Sequence, residues 1–245
     1  MSECKRKTAL RGPLLPALLI ASLAGLHGAP AKAEMVLDKV VVDLGQTGKE
    51  RQDIEVWNAG SERIYVLAEL SEILDPGTPA ESRRAVSDPE VSGLFISPLK
   101  MILEADERRI IRIVAVGPRQ AKDRIYRLAV KPVAGPVLSD ESALKIFVGY
   151  DALVLYRPEK ISGTIQASFE DGKLVLENHT NTAQSLFEGR QCDGDEAQCV
   201  ELPSKRLYAG ASWIIDLPYN TKVQYYAQSG DQISQMSFDP AQGLD

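Results

Sequence analysis

From Glu34 onward the chain is a succession of short runs rich in Val, Ile and Tyr, alternating or fully apolar, cut by Gly, Pro, Asn and Asp. A period of two marks strands with one buried face, and closely spaced turn residues mark an all-β sandwich. The pattern predicts strands at MVLDKVVVDL (35 to 44), DIEVWN (53 to 58), RIYVLAEL (63 to 70), LFISPLKMIL (94 to 103), RRIIRIVAV (108 to 116), RIYRLAVKPV (124 to 133) and LKIFVGYDALVLY (144 to 156). Seven such strands in about 120 residues fit one immunoglobulin-like domain. The stretch from Ser71 to Gly93 carries three prolines and mixed charge, and reads as a long, partly mobile connection.

After Arg157-Pro158 a second series begins, and proline suits a boundary because it cannot donate to a continuing ladder. The runs GTIQASFE and KLVLEN flank Asp171-Gly172, which predicts a tight hairpin. QSLFEG, KRLYAG, SWIIDLP, KVQYYAQ and ISQMSF follow. The expected fold class is all-β, with two immunoglobulin-like β-sandwich domains in tandem, a first at 34–157 and a smaller second at 158–245.

The first 33 residues stand apart. Lys5, Arg6, Lys7 and Arg11 form a basic head, PLLPALLIASLAGL an apolar centre, and Ala31-Lys32-Ala33 a small-residue cleavage signal, the three parts of a secretory leader. The apolar centre falls short of the about 20 residues a stable span needs, and no other segment reads as transmembrane. Removing 33 residues from 245 leaves 212, with 23 Lys and Arg against 33 Asp and Glu, a balance of −10. An acidic chain without a basic block argues against nucleic acid or an anionic membrane surface as partner.

Cys4 leaves with the leader, so Cys192 and Cys199 remain, flanking DGDEAQ. Two cysteines this close in an exported protein predict a disulfide, stabilising by about 2.5 kcal/mol on loop entropy. A zinc half-site would want CxxC spacing and further ligands. His179, the one histidine left, sits in the polar turn ENHTNT and reads as solvated. No nucleophile with a base and no metal constellation is legible, so the expectation is no catalytic residue, no cofactor and no metal. Arg108 and Arg112 share a strand face opposite Arg109, which suggests a solvated or ion-paired sheet face. Trp57 and Trp213 fall within strands and are expected in the core.

The most informative stretch is ALKIFVGYDALVLYRPEK, residues 143 to 160. Leu144, Ile146, Val148 and Tyr150 recur at spacing two and share one face of a strand. Edge strands are usually blunted by charge, proline or bulges, and this one carries few such guards.

The ending LVLYRPEKI resembles the periplasmic chaperones of the chaperone/usher pilus pathway, the PapD-like family, whose first domain closes in an LFYRP-like sequence. Tyr156-Arg157-Pro158 matches that end. The resemblance extends to the leader, VLDKVVVDL, VWNAGSERIYV with Asn58, ISPLKMIL with Pro98, RIIRI with Arg112, and DRIYRLAVKP. The close cysteine pair and KRLYAGASWIIDLPY look more like the divergent alternative branch. The resemblance implies two domains at an angle with a cleft between them, and a chaperone that lends an edge strand to a pilus or fimbrial subunit. The donor side chains would be Leu144, Ile146 and Val148, with Tyr150 as a fourth, and the client would pass to an outer-membrane usher. Strand addition of this kind takes affinity from main-chain hydrogen bonds and specificity from alternate side chains.

These chaperones usually grip the subunit's C-terminal carboxylate with an Arg on the first strand and a Lys near the end of the donor strand. Here those slots hold Val41 or Val42 and Leu153. Lys39, on the first strand, and Arg157, at the domain junction, are the candidate replacements; a hinge role for Arg157, or docking without an anchor, are the alternatives. Free protein is expected to cap its donor edge, for example by self-association. The rival function is an exported structural or adhesive subunit of a surface fibre; such a subunit would lack its own last strand.

Overall fold

The computed structural model describes residues 35–45, 50–133, 147–195 and 197–241. The expected leader, and Leu144 and Ile146 of the expected donor strand, lie outside them. The described chain is almost wholly β. In chain order the first half gives β1 (Met35–Leu37), β2 (Val41–Leu44), β3 (Arg51–Asn58), β4 (Ile64–Leu74), β5 (Ser82–Ala85), α1 (Pro89–Ser92), β6 (Leu94–Ser97), β7 (Lys100–Leu103), β8 (Arg108–Ala115), β9 (Arg124–Val133) and β10 (Tyr150–Tyr156). One sheet has the order β1-β3-β8-β6; the other is β2-β10-β9-β4-β5, with β7 also on β4.

Alternation decides which side chains meet between the sheets. Ile54 and Val56 of β3 and Ile111 and Ile113 of β8 are fully buried against Leu103, Tyr126, Leu128 and Val154. Each such aliphatic side chain contributes roughly 1.5–3 kcal/mol. The opposite positions face out and pair in charge: Arg112 Nε and Nη2 donate to the two oxygens of Asp53 at 2.9 Å, and Arg108 donates to Glu55. Trp57, expected in the core, lies on this outer face, with the Arg108 guanidinium 4.5 Å from its ring and its indole N–H on Asp106. Position 57 has the parity of Asp53 and Glu55, and that parity points away from the core.

Two expected strands are each split between the sheets. Residues 38–40 form a bend, so β1 pairs with β3 in one sheet and β2 with β10 in the other. Asp38 makes the break: its carboxylate accepts from the Glu55 amide and its own amide donates to the Glu55 carbonyl. LFISPLKMIL divides likewise at the cis Ser97–Pro98 bond into β6, on β8, and β7, on β4. The connection expected from Ser71 to Gly93 carries regular structure. β4 runs on to Leu74, β5 returns along it, and α1 follows with Asp88 as its cap. Two of its charges are paired within it, since buried Glu72 accepts from Arg84, and Glu72 also accepts from Arg124 of β9.

The second half gives β11 (Ile165–Glu170), β12 (Lys173–Asn178), β13 (Gln184–Cys192), β14 (Cys199–Leu202), β15 (Lys205–Leu207), β16 (Ser212–Asp216), β17 (Val223–Ser229) and β18 (Gln232–Phe238). They form sheets β11-β12-β16 and β14-β13-β17-β18, with β15 also on β13, over a core of Leu174, Leu176, Leu186, Val223 and Tyr225. The Asp171-Gly172 hairpin is present, both residues at positive φ (49° and 74°). The Cys192–Cys199 disulfide joins β13 to β14. A bulge at 187–190 carries Gly189 over the Tyr225 ring, where an added Cβ would lie 2.3 Å from a ring carbon.

One device recurs in both sandwiches. Buried Asn58, last residue of β3, donates its amide to the carbonyls of Glu62, Leu103 and Glu104 and accepts from the Gly60 amide. Buried Asn178, last residue of β12, donates to Thr182 and Leu207 and accepts from Thr180. A carboxamide is the side chain that can both donate twice and accept, which a buried chain reversal requires.

Candidate functional site

β10 is aligned by β9 along its whole length, from Tyr150 opposite Val130 to Tyr156 opposite Arg124. Its other side is covered only in part. β2 joins it in parallel from Leu153 opposite Val41 to Tyr156 opposite Leu44, and the first contact is the Leu153 amide on the Val40 carbonyl at 2.8 Å. From Tyr150 to Ala152 that side has no strand partner among the described residues. Strand geometry turns the Asp151 amide to the same side as that of Leu153, so an open edge precedes β2.

The side chains of β10 divide by parity. Tyr150, Ala152, Val154 and Tyr156 turn toward the first core, whereas Leu153 and Leu155 turn outward and pack with Ile125 and with Ala183 of the second half. Leu153 is only 3% exposed. Of the expected donor residues, Tyr150 is half-buried and its hydroxyl donates to the Met35 carbonyl, while Val148 is 55% exposed. The strand starts at Tyr150, and residues 147–149 lie outside it. Gly149 nonetheless runs close beside β9, with room for no more than a tight Cβ against Lys131.

Of the positions the resemblance assigns to the anchor, Val41 is the direct cross-strand partner of Leu153, and Val42 is the partner of Val154. All are aliphatic. Lys39 sits in the 38–40 bend instead of on a strand face with Val41, and its ammonium lies 3.3 Å from Asp38.

Arg157 is 3% exposed and is held through Nε and Nη1. Its Nε donates to both Asp43 oxygens at 2.8 and 2.9 Å, and its Nη1 to Thr182 Oγ1, the Ala183 carbonyl and Ser229 Oγ. One guanidinium thus links the end of β2 to the second sandwich. Arg119 closes the neighbouring carbonyls of Leu44 and Arg157 and lies over the Tyr156 ring. Asp123 accepts from the Ala183 amide and from Thr182. Burial pushes the Asp123 carboxyl above its ordinary range, against the opposing pull of those hydrogen bonds and of Arg157. Asp43, Arg119, Asp123 and Thr182 carried no signal in the sequence, because the junction is assembled from segments distant along the chain. His179 is exposed on Glu177, and no group of three His, Cys, Asp or Glu among the described residues is placed to hold a metal.

Comparison with known proteins follows the same lines. No family model matches the chain. It is 26% identical over 195 residues to the probable fimbrial chaperone EcpE of Escherichia coli O127:H6, covering 77% of this chain and 72% of that protein. In structure it is similar to the class 5 fimbriae chaperone CfaA, with a TM-score of 0.63 and 20% identity over 84% of this chain and 99% of that one. It is also similar to the chaperone SafB in complex with the SafA pilin of Salmonella enterica, with a TM-score of 0.58 and 15% identity over 86% and 98% of the chains. The resemblance read from the sequence therefore holds both in sequence and in the two-sandwich fold.

Proposed function

We propose that this chain, which has the fold of the pilus-assembly chaperones of the chaperone/usher pathway, is a periplasmic chaperone for a fimbrial subunit. It captures its client by strand addition along β10 and hands it to an outer-membrane usher. The observation that carries this reading is the edge of β10 that, among the described residues, is left open between Tyr150 and Ala152 and is preceded by the exposed Val148. The leader provides for export, and the proposed domain boundary at Arg157 places the open edge at the end of the first domain. The work is binding alone. Main-chain pairing supplies affinity and the apolar side chains at Leu144, Ile146, Val148 and Tyr150 supply selection. Burial of four such groups offers roughly 6–12 kcal/mol before association costs, a scale suited to capture followed by release.

The test is co-export with a fimbrial subunit followed by purification of the complex. A one-to-one complex is expected with the native chain and none with Ile146 and Val148 both changed to Asp, at unchanged thermal stability. Full retention of the complex in that variant refutes strand addition through this edge.

A further inference from the structure

β14 is an edge strand whose one neighbour among the described residues is β13, and three of its four residues are exposed. Register sets Cys192 opposite Cys199 and Arg190 opposite Glu201, so Arg190 stands one row from the bridge on the same face of the sheet. Its long side chain crosses that row diagonally, and Arg190 Nη2 donates to Cys199 Sγ at 2.9 Å. Cys199 is exposed, whereas Cys192 is half-buried. The two sulfurs of one bridge therefore differ both in access and in charge.

The surrounding groups leave that asymmetry in place. Glu201 is exposed, and among the described residues Arg190 forms no ion pair with it or with another acid. Asp193 is tied into the excursion between the cysteines, where its carboxylate accepts from the Ala197 amide and its own amide donates to the Gln198 carbonyl. Asp195 is exposed in the same turn. The groups that continue the Arg190 row on β17 and β18 are neutral, Gln224 and Ser237. Beside Cys192, the Thr221 hydroxyl donates to the Cys192 carbonyl, and the adjacent Lys222 is exposed. A guanidinium favours thiolate over thiol, and the thiolate is the nucleophile of disulfide exchange.

We infer that Cys199 is the reactive thiol of this pair and that Arg190 activates it, so the bridge closes through Cys199. In the first step the Cys199 thiolate attacks one sulfur of a disulfide donor. The donor's S–S bond breaks, one half leaves as a thiolate, and the other stays on Cys199 as a mixed disulfide. Cys192 gives its proton to water, and its thiolate attacks Cys199 Sγ and releases the second half as a thiolate. Two electrons pass to the donor, and β14 is locked to β13. Each unit by which Arg190 lowers the Cys199 thiol raises the thiolate fraction at neutral pH about eightfold, and the accompanying loss of nucleophilicity leaves a net gain of about threefold.

The experiment uses the chain without its leader, as Cys192→Ser and as Cys199→Ser, each with one free thiol. Mass spectrometry follows the mixed disulfide formed with bis(2-hydroxyethyl) disulfide between about pH 6 and pH 10, a range that brackets an ordinary thiol. The probe is uncharged, so Arg190 cannot act by attracting it. Cys199 should titrate about one unit below the ordinary thiol value of about 8.5 and react about threefold faster than Cys192 at neutral pH. Arg190→Gln should return the Cys199 midpoint to the ordinary value and leave the Cys192 profile unchanged, while Arg190→Lys should keep part of the shift. In the reduced chain with both cysteines and limiting probe, the first mixed disulfide should form on Cys199. A Cys199 midpoint at or above the ordinary value overturns the inference, and so does a first mixed disulfide on Cys192. A lowered midpoint that survives Arg190→Gln overturns the role of Arg190.

Discussion

Changing Arg157 to alanine probes the junction on which the position of β10 depends. The guanidinium makes five hydrogen bonds, two to Asp43 and three to Thr182, Ala183 and Ser229, at 3% exposure. Removing one partner of a buried ion pair costs about 3–5 kcal/mol, because the other partner stays buried and uncompensated. Water reaches the Asp43 side chain, which is 30% exposed, so its stranded charge is partly rescued. Thr182 and the Ala183 carbonyl have no such relief, since both residues are buried. The expected loss is therefore about 3 kcal/mol, at the lower end of that range. Urea unfolding monitored by circular dichroism measures it, together with Asp43→Ala and the double variant. The two single losses should exceed the double loss, as for any contacting pair. Arg157→Lys should recover little, since one ammonium cannot span Asp43 and the three second-sandwich oxygens at once. A loss below about 1 kcal/mol, or strict additivity, would refute the view that this residue ties the sandwiches together.

Other consequences are equally direct. Burial acts to raise the carboxyl pKa of Glu72, but hydrogen bonds and charge from Arg124 and Arg84 outweigh it and hold the pKa below the ordinary value. The stability it confers is present above the unfolded pKa and lost as pH falls through the lowered folded one. Glu72→Gln should thus cost about 1–3 kcal/mol at neutral pH and progressively less in acid, read from urea midpoints. Asp123 has the opposite sign: its raised pKa favours the folded state when protonated. Relative to Asp123→Asn, the native chain should gain stability as pH falls through the raised folded pKa toward the ordinary carboxylate value, in the same assay. Gly189→Ala should lower the melting temperature, because its Cβ would lie 2.3 Å from the buried Tyr225 ring at a bulge. Asn178→Ala should cost about 1–3 kcal/mol in the same measurement by stranding the carbonyls of Thr182 and Leu207.

The fold was legible where alternation is strong. The positions of β3, β8 and β9 follow from period-two patterns that one core satisfies, and Asp171-Gly172 is a local turn signal that needs no tertiary context. Splitting of the first strand was hidden, since MVLDKVVVDL is apolar on both faces and does not say where a chain changes sheets. The strand and helix within residues 71–93 were hidden too. Glu72 looks solvated in sequence but is buried and paired with Arg84, on the returning strand, and with Arg124, distant along the chain. Arg157 illustrates the same limit: YRP marks a boundary in one dimension, while the partners that bury the arginine come from β2 and the second sandwich. Arg190 gave no local sign of its place beside Cys199, because cross-strand neighbours are set by register and not by spacing along the chain.

Amide hydrogen exchange across residues 147 to 152, in the free chain and in its complex with a fimbrial subunit, tests strand addition most directly. The account predicts fast exchange of the outward amides at Gly149 and Asp151 in the free chain and strong protection of the same amides in the complex. Unchanged exchange at these amides in a stable complex would contradict it.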